Sequence, residues 1–415
     1  MDMGQSYVVI GDGIAGSSAA ETLREEDPDA DIVILTDEGE PLYNRILIKE
    51  FAKGKLPEAP IAIHEESWYD ERNIDLHLNT HVTTVDSSNQ LVLTHDGVSY
   101  DYDKLLVATG GTPSQLPVPG SAAEGIHHFW TFQDARAIRE HMESADSAVI
   151  IGAGLLGIDL AAISAAQDVT GHYLMRGDTW WRYALSPTGG EIIHDALRER
   201  NITPVFDSGA EEFILDESGH VRETVDPNGD HFDSDFVGIA IGLHFNTEIL
   251  QGTPVDTDNG IIVDEYMQTS DPHIYAAGDI TRFFDTIIGD HEQNGSWGSA
   301  KTQGAVAARN MAADESVEHF RWVSSYSITH FDFPFLSFGH PTIGDTYVER
   351  QYDDQVWRRI ALKNGRVVGG VLIGDLAPQT PLKRLIREEV TIEGREEQLL
   401  DETVDVASVA PVLDG

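Results

Sequence analysis

The sequence of 415 residues contains no cysteine. This absence excludes disulfides, thiolate metal sites and iron–sulfur ligation within the chain. Basic residues are also scarce, because 27 Lys and Arg residues stand against 71 Asp and Glu residues, which gives a formal net charge of 27 − 71 = −44. A surface this negative repels nucleic-acid phosphates and anionic lipids, so we expect neither nucleic acid nor a membrane as a partner.

The acidic residues are dispersed along the chain, and hydrophobic residues make up 41% of it. This pattern differs from the charged run of a disordered tail and predicts a folded protein. Dispersed acidity is typical of halophilic proteins, in which molar salt shortens the Debye length to about 3 Å and screens the self-repulsion. We therefore expect a halophilic protein that is destabilised in dilute buffer.

Long hydrophobic runs are absent as well. No apolar run approaches the length of about 18 residues that spans a membrane. No basic region followed by an apolar core precedes the first predicted strand. These features predict a soluble cytoplasmic protein, and the length predicts two or three domains.

A glycine pattern that binds dinucleotide diphosphates, G-x-G-x-x-G, occurs twice. The two copies, in VVIGDGIAG and AVIIGAGLLG, place glycines at Gly11, Gly13, Gly16, Gly152, Gly154 and Gly157. Each copy follows an apolar strand-like run, at residues 7–10 and 148–151, and opens an Ala-rich helix-like run. In this context the first glycine forms the tight turn, the second lets the backbone approach the diphosphate, and the third brings helix and strand together. We therefore expect two bound nucleotides.

The periodicity predicts further elements around the two copies. A helix over 15–26 and a strand over 31–35 are followed by Asp37 and Glu38, and either carboxylate could receive the hydroxyls of a ribose at this strand end. The second copy predicts helices at 134–143 and 158–166 and a strand at 171–175. Further strands are predicted at 102–110, in FVGIAIG and at 274–280, with a helix over 300–313.

The character of the sequence changes from about residue 318. Phe331, Phe333 and Phe335 recur at period two, which predicts the core face of a sheet. Asn364-Gly365 stands between two apolar runs and predicts a β-hairpin. The tail from residue 388 predicts a surface helix and a frayed end.

These motifs resemble the flavin-dependent pyridine nucleotide oxidoreductases with two dinucleotide-binding domains, which are related in fold to glutathione reductase. The resemblance covers essentially the whole chain. It rests on both fingerprints, the ATG turn at Ala108, Thr109 and Gly110, and the segments TSDPHIYAAGD and WGSAKTQGAVAARN. The segments YNRILIKEFAKGKL and RVVGGVLIGDLAPQTPLKRLIRE look most similar to the reductase portion of the assimilatory nitrite reductase large subunit, followed by rubredoxin and ferredoxin reductases. The siroheme and iron–sulfur parts of that subunit have no counterpart in this sequence.

The resemblance implies an α/β fold with two Rossmann-like domains, the second inserted in the first, and a C-terminal α+β domain. The implied FAD-binding domain comprises residues 1–115 and 240–317. The NAD(P)H-binding domain would comprise residues 116–239, and the C-terminal interface or partner domain residues 318–415. In some relatives this last domain is a dimer interface and in others a partner platform, so a homodimer stays open.

The resemblance also implies the cofactors, FAD and either NADPH or NADH, and the residues that hold them. Asp279 would hold the ribityl chain of FAD and Arg45 its diphosphate, unless Arg45 is an ordinary surface arginine. The residues expected to contact FAD are Gly11, Gly13, Ala15, Gly16, Asp37, Glu38, Arg45, Lys49, Ala108, Thr109, Gly110, Gly278, Asp279 and Trp297. Those expected to contact the nicotinamide cofactor are Gly152, Gly154, Leu155, Leu156, Gly157, Met175, Arg176, Arg182 and Gly242.

Lys49 and Asp159 are the candidate catalytic residues. Lys49 would lie beside the flavin, and a solvated helix lysine is the alternative. Asp159 replaces a family glutamate near the nicotinamide, and stabilisation of a helix N-terminus by its charge is the alternative. No metal site is expected, since the alternating Leu76, Leu78 and Val82 around His77 and His81 favour structural histidines on a strand and loop.

Two departures from the family bear on the chemistry. Members that reduce disulfides or peroxide need cysteines near the flavin, and this chain has none. Met175 falls where the family places an acid at a strand end, and Arg176 follows it. A carboxylate there accepts the 2′-hydroxyl of NADH, whereas a neutral residue followed by Arg favours the 2′-phosphate of NADPH, unless Arg176 merely caps a turn.

The expected function is therefore transfer of a hydride from NAD(P)H to FAD and of electrons from FAD to an external acceptor. A rubredoxin- or ferredoxin-like carrier, or a nitrite-reductase-type partner, is the expected acceptor. The alternatives are an NAD(P)H oxidase or quinone reductase, and a nicotinamide-sensing flavoprotein with little turnover.

Overall fold

The computed structural model describes residues 4–328, 330, 334–392, 394–402 and 408–409. The chain divides into two compact units, each assembled from three segments. The first unit comprises Met1–Asn44, Ala59–Thr112 and His244–Ser324, and the second comprises Arg45–Glu58, Pro113–Leu243 and Ser325–Gly415.

The described residues form eight α-helices and two 3₁₀ segments. The helices are α1 Ile14–Glu26, α2 Ile48–Ala52, α3 Glu66–Asp70, α4 Phe132–Met142, α5 Leu155–Ala166, α6 Pro187–Arg198, α7 Trp297–Ala312 and α8 Gln379–Arg387. The 3₁₀ segments are Glu248–Leu250 and Glu396–Leu400. Among these residues no helix is long and apolar enough to cross a membrane.

The strands follow in chain order. They are β1 Ser6–Ile10, β2 Asp31–Leu35, β3 Ile74–His77, β4 Val82–Asp86, β5 Leu91–Thr94, β6 Ser99–Asp101, β7 Lys104–Val107, β8 Thr112–Pro113, β9 Ile126–His128, β10 Ser147–Ile151, β11 Thr170–Leu174, β12 Ile202–Val205, β13 Glu212–Leu215, β14 Val221–Val225, β15 His231–Asp233, β16 Phe236–Ile239, β17 Leu243–His244, β18 Ile261–Val263, β19 Ile274–Ala276, β20 Thr281–Asp285, β21 Asp290–Glu292, β22 Ser325–Ile328, β23 Phe335–Gly339, β24 Thr346–Gln351, β25 Trp357–Lys363 and β26 Arg366–Ile373.

A five-stranded parallel sheet in the order β19-β7-β1-β2-β3 forms the centre of the first unit. Its central strand β1 is apolar and buried from Tyr7 to Ile10, as expected for a parallel sheet covered on both faces. Helix α1 packs closely on α7, because a Cβ at Gly304 would lie 2.1 Å from the Ala15 carbonyl oxygen. Only glycine permits this approach.

A second parallel sheet, in the order β12-β11-β10-β16-β9, forms the centre of one part of the second unit. Helix α5 contacts β10, β11 and β16. On this sheet Val149, Ile151 and Val237 belong to an apolar cluster that also includes Phe213 of the small antiparallel sheet β13-β14-β15. The two parallel sheets, each with a strand, a glycine turn and a helix, confirm the expected pair of Rossmann-like folds.

The remaining part of the second unit is an antiparallel sheet in the order β22-β23-β26-β25-β24. Asn364 and Gly365 join β25 to β26 with φ of 51° and 71°. Positive φ at both turn residues is typical of the type I′ hairpin, so the predicted hairpin is confirmed. Phe335 begins β23 and is buried, whereas Phe331 and Phe333 lie outside the described residues.

Some sequence-based boundaries need correction. The predicted strands at 102–110 and 274–280 are shorter, at β7 and β19, because each ends where its residues turn into a loop. The surface helix predicted for the tail is wrong for the described residues, which form the 3₁₀ segment Glu396–Leu400. Its last two leucines are buried, and Arg358 donates a hydrogen bond of 2.6 Å to the Leu399 carbonyl, so packing decides its conformation.

Candidate functional site

The first fingerprint forms a tight turn that leaves open space in front of a helix N-terminus. A Cβ at Gly11, where φ is +103°, would lie 2.5 Å from the Ala108 carbonyl oxygen, and one at Gly16 would lie 1.9 Å from the Gly11 oxygen. A Cβ at Gly13 would meet no atom within 4 Å. Gly13 caps α1 without a side-chain hydrogen bond, and the first turn of α1 holds no acid. The free N–H groups and the open space therefore fit a diphosphate.

Other predicted FAD residues lie at the same edge of this sheet. The Ala108 N–H donates to the Ile10 carbonyl at 2.8 Å, so the ATG turn that follows β7 lies beside the end of β1. Gly278 and the half-buried Asp279 follow β19, the strand next to β7. Thr109 Oγ1 is buried and has no hydrogen-bond partner among the described residues. An orphaned hydroxyl at this edge is consistent with a polar ligand there.

The two candidate ribose carboxylates have different surroundings. Asp37 is exposed and lies 3.2 Å from His81 Nδ1. Glu38 is half-buried and accepts a hydrogen bond of 2.7 Å from the Tyr43 hydroxyl. Both follow β2 in the first unit, so both remain candidates.

Sequence reasoning missed Asp12, the residue between the first two glycines. Its side chain is 7% exposed. Its Oδ2 accepts hydrogen bonds from the Tyr69 hydroxyl at 2.7 Å and from the Leu42 N–H at 3.0 Å. Burial raises the pKa of Asp12 to about 7, although these two hydrogen bonds act in the opposite direction. The signal in the sequence was an acid inside a phosphate-binding turn.

The second fingerprint repeats the geometry of the first. A Cβ at Gly152, where φ is +115°, would lie 2.1 Å from the Ala240 carbonyl oxygen, and one at Gly157 would lie 2.1 Å from the Gly152 oxygen. Gly154 again faces open space. Leu155 begins α5, whose first turn also holds no acid. The turn therefore fits a second diphosphate, and the predicted partner Gly242 also borders open space, with φ of +112°.

Beyond β11, at the predicted site of the adenosine 2′ position, the exposed charged side chains are Arg176, Asp178 and Arg182. Met175 is fully buried, whereas Arg176 and Arg182 are exposed. Arg182 lies beside Gly177, since its Cδ is 2.7 Å from where a Cβ on that glycine would be. The hydrogen bond to Tyr183 and the nearby acids raise the pKa of Arg182, so it stays charged.

The two candidate catalytic residues form an ion pair inside the second unit. Lys49 Nζ lies 3.6 Å from Asp159 Oδ1, and their side chains are 12% and 7% exposed. Lys49 is therefore not a solvated lysine, and Asp159 does more than place a charge near the start of α5. The Asp159 carboxylate also accepts hydrogen bonds from His330 and Tyr326.

Three further residues have clear positions. One Nη of Arg45 donates to the Trp130 carbonyl at 2.8 Å. Trp297 is the first residue of α7 in the first unit and is half-buried. Trp180 is fully buried, with its ring 5.7 Å from that of Phe335. It therefore closes the core and cannot stack on a solvent-facing base.

The predicted cofactor residues divide between the two units. Those for FAD lie in the first unit, except Arg45 and Lys49, and all those for the nicotinamide cofactor lie in the second. Sequence reasoning missed Lys53, Tyr326 and His330. Lys53 could have been recognised from the sequence, because it follows Lys49 by one helical turn in a chain with only seven lysines. Among the described residues no group of potential ligands is arranged to hold a metal ion.

Two glycine turns that fit dinucleotide diphosphates, which we call the first and second cradle, occur together with a buried Lys–Asp pair. This combination indicates the class of nucleotide-dependent flavoprotein oxidoreductases. Residues 5–311 match the family model described as "Pyridine nucleotide-disulphide oxidoreductase", and residues 327–390 match "Rubredoxin NAD+ reductase C-terminal domain". The chain therefore belongs to the pyridine nucleotide-disulphide oxidoreductase family and is an FAD-dependent NAD(P)H oxidoreductase.

Its relatives include nitrite reductase [NAD(P)H] of Bacillus subtilis (strain 168), which is 28% identical over 394 residues, 94% of this chain and 48% of that protein. The chain thus spans about half the length of this relative. The anthranilate 1,2-dioxygenase system ferredoxin–NAD(+) reductase component of Burkholderia cepacia is 30% identical over 321 residues, 77% of this chain and 79% of that one. In solved structures, a chain of the covalent putidaredoxin reductase–putidaredoxin complex has the same fold, with a TM-score of 0.91 at 24% identity over 98% of both chains.

Proposed function

We propose that this protein transfers electrons from NAD(P)H through FAD to a small one-electron carrier protein of the rubredoxin or ferredoxin class. The complete lack of cysteine beside two dinucleotide cradles carries the proposal. Without a thiol, electrons have no route through a redox-active disulfide in this chain and must pass directly from the flavin to the acceptor. Relatives named as ferredoxin–NAD(+) and rubredoxin–NAD(+) reductases support this choice of acceptor.

The chain supplies binding, orientation and electrostatics for this reaction. FAD, when bound, accepts a hydride from the nicotinamide and releases electrons one at a time. The N–H groups at the starts of α1 and α5 would bind the two diphosphates. Asp279 would hold the ribityl chain. The Lys49–Asp159 ion pair would fix the position of a single ammonium group in the second unit.

We infer that the second cradle accepts NADPH in preference to NADH. Arg176 and Arg182 are exposed beyond β11, and Asp178, the one acid among residues 175–182, lies between them and not at the strand end. A guanidinium binds a phosphate through charge-assisted hydrogen bonds. The relatives are named as using NAD(+) or NAD(P)H. The preference for NADPH is therefore supported by these two arginines and not by similarity to the relatives.

We also propose that the protein works in the salty cytoplasm of a halophilic cell, with an acidic carrier. The net charge of −44 supports this setting, because such a charge is tolerated best where salt screens it. A dimer through the C-terminal sheet β22-β23-β26-β25-β24 stays part of the proposal and is tested by sedimentation in molar KCl.

Steady-state turnover with different acceptors tests the proposal. We expect rapid reduction of rubredoxin or ferredoxin by NAD(P)H in molar KCl and slow reduction of oxygen and quinones. Faster turnover with oxygen or a quinone would favour an oxidase or quinone reductase. One rapid reduction followed by a stall with every acceptor would favour a nicotinamide sensor.

A further inference from the structure

A buried chain of polar contacts extends from the Lys49–Asp159 pair through His330. The His330 Nε2 contacts Asp159 Oδ1, and the His330 Nδ1 lies 2.7 Å from Lys53 Nζ. Lys53 Nζ in turn donates to Glu50 Oε1 at 2.8 Å. The side chains of His330 and Lys53 are only 0% and 3% exposed. All five residues belong to the second unit, although His330 and Asp159 are 171 positions apart in the chain.

The two contacts of His330 determine which ring nitrogen carries its proton. A lysine ammonium has only donors, so Nδ1 must accept the hydrogen bond from Lys53. A carboxylate accepts, so Nε2–H must donate to Asp159. Burial lowers the pKa of His330, and the attraction of Asp159 does not reverse this shift. A neutral imidazole with its proton on Nε2 satisfies both contacts.

We propose that His330 is a positioning residue for hydride transfer: locked by Lys53 as the neutral Nε2–H tautomer, it holds the Asp159 carboxylate, and through it the Lys49 ammonium, in one orientation. This inference rests on the proposed function, because it assigns His330 to the site where that reaction takes place. The Tyr326 hydroxyl, whose pKa burial keeps well above its usual value, is the second neutral donor to Asp159. Asp159 is thus held by two neutral donors and one cation.

Protonation of His330 would disrupt this arrangement. An imidazolium would direct its Nδ1–H at the Lys53 ammonium, so two positively charged donors would face each other 2.7 Å apart. The ionisable groups that contact His330 or shift its pKa include Lys49, Lys53 and Asp159, and Glu50 lies beyond Lys53. We therefore expect the hydride-transfer rate to fall on the acid side as His330 becomes protonated.

Two substitutions separate positioning from acid–base catalysis. His330→Gln keeps both contacts, since the amide oxygen accepts from Lys53 and the amide N–H donates to Asp159, but it does not titrate. His330→Phe keeps the ring and removes both contacts. Rapid-mixing measurements of flavin reduction by NADPH and NADH give the rate constant and the nicotinamide Kd across pH.

We expect His330→Phe to lower the rate constant about 10- to 100-fold with a Kd within about twofold of wild type, because a misplaced group costs rate more than affinity. His330→Gln should stay within about threefold of wild type and lose the acid limb. His127→Phe and His127→Gln are matched controls, since His127 is another part-buried histidine of the second unit, 2.8 Å from His141. Both controls should leave the rate constant unchanged.

A second readout does not depend on turnover. In the oxidised holoenzyme labelled with ¹⁵N-histidine, NMR should show the His330 proton on Nε2 at pH 8. Lys53→Met replaces the donor with an apolar chain of similar length and leaves the Nε2–H contact to Asp159 in place, so removal of the Lys53 charge should let His330 become an imidazolium at a higher pH than in wild type. This variant also covers the case in which His330→Phe does not fold.

Four results would overturn the inference: an Nδ1–H tautomer or an imidazolium in the wild type at pH 8, protonation of His330 at an unchanged pH in Lys53→Met, a wild-type rate in His330→Phe, or a His330→Gln protein as slow as His330→Phe. Wild-type flavin that neither nicotinamide reduces would instead contradict the proposed function. The NMR result distinguishes the two failures, because the tautomer is read in the resting protein.

Discussion

Asp12 lies inside the turn that we propose binds the FAD diphosphate, where a negative charge is unfavourable. Its burial and its raised pKa of about 7 mean that the carboxyl is partly protonated near neutral pH. The bonds from Tyr69 and Leu42 account for one carboxyl oxygen, while Asp12 Oδ1 is buried without a hydrogen-bond partner among the described residues. An amide would keep the two bonds and carry no charge.

We expect Asp12→Asn to stabilise the protein at alkaline pH and not at acid pH. The folded-state pKa lies above the ordinary value of 3.8, so ionisation costs stability as the pH rises from about 4 to 7. At about 1.4 kcal/mol per pKa unit, the gain for the variant should approach the order of 4 kcal/mol above pH 7. Unfolding in molar KCl with excess FAD measures it, and Asp29→Asn, an exposed change in the same unit, is the control. An equal effect at pH 4 and pH 8 would contradict the assignment.

Arg176→Ala should weaken NADPH binding about 10- to 100-fold, because a charge-assisted contact to an anion contributes roughly 1.5–3 kcal/mol. NADH binding should change little, since NADH lacks the 2′-phosphate. Titration of the oxidised holoenzyme with each nucleotide gives the two Kd values. Arg222→Ala, which removes another exposed arginine of the second unit, should affect neither. An unchanged Kd for NADPH in Arg176→Ala would show that the phosphate lies elsewhere. Met175→Glu is a poorer test, because it would bury a carboxylate.

At the scale of elements, the fingerprints were predictable because their chemistry is local. The strand, the turn and the helix N-terminus lie within about ten residues, so the glycine spacing alone specifies which positions must lack a side chain. The hairpin at Asn364 was predictable for the same reason.

The surroundings of Asp159 were not predictable from local pattern. His330 reaches Asp159, and Lys53 reaches His330, only when α2, α5 and a residue after β22 come together in the fold, and no periodicity encodes a contact across 171 positions. The burial of Met175 was not predictable either, because it depends on packing around the whole sheet and not on the local sequence of β11. The arginine and tyrosine contacts that hold Glu396–Leu400 as a 3₁₀ segment are also tertiary.

Gly13 and Gly154, the two fingerprint glycines that border open space, allow each nucleotide-binding turn to be tested separately. Gly13 and Gly154 have extended backbone conformations, with φ of −71° and −106°, so valine is compatible with the backbone at both positions. Each valine would fill the space in front of its helix. Gly13→Val should lose FAD and keep its fold, whereas Gly154→Val should keep FAD and lose nicotinamide binding. Flavin absorbance after purification and nucleotide titration measure the two outcomes. Loss of both cofactors in either variant would contradict the assignment of one cradle to each nucleotide.

At the scale of the whole molecule, the dominant feature is charge. With 71 acidic and 27 basic residues, self-repulsion destabilises the compact state unless salt screens it. The free energy of unfolding should therefore rise steeply between about 0.5 and about 3 M KCl, where the Debye length falls to about 3 Å. Urea unfolding at each salt concentration measures this. Stability that is flat or falls with KCl would contradict the halophilic interpretation.

The same charge predicts how the carrier associates. An acidic carrier cannot be attracted by an acidic reductase, so association should strengthen or stay constant with salt, unlike complexes steered by opposite charges. Carrier reduction rates at subsaturating carrier, measured from about 0.5 to about 3 M KCl with the fold intact, test this. A steep fall with salt would reveal a basic docking patch.

Anaerobic electron counting tests the central claim most directly. The holoenzyme in molar KCl is mixed with one equivalent of NADPH or NADH, and oxidised rubredoxin or ferredoxin is then added. We expect loss of the oxidised-flavin absorbance on the first addition, followed by its return as two equivalents of carrier are reduced. Protein that binds no flavin, flavin that neither nicotinamide bleaches, or bleached flavin that no carrier reoxidises would contradict it.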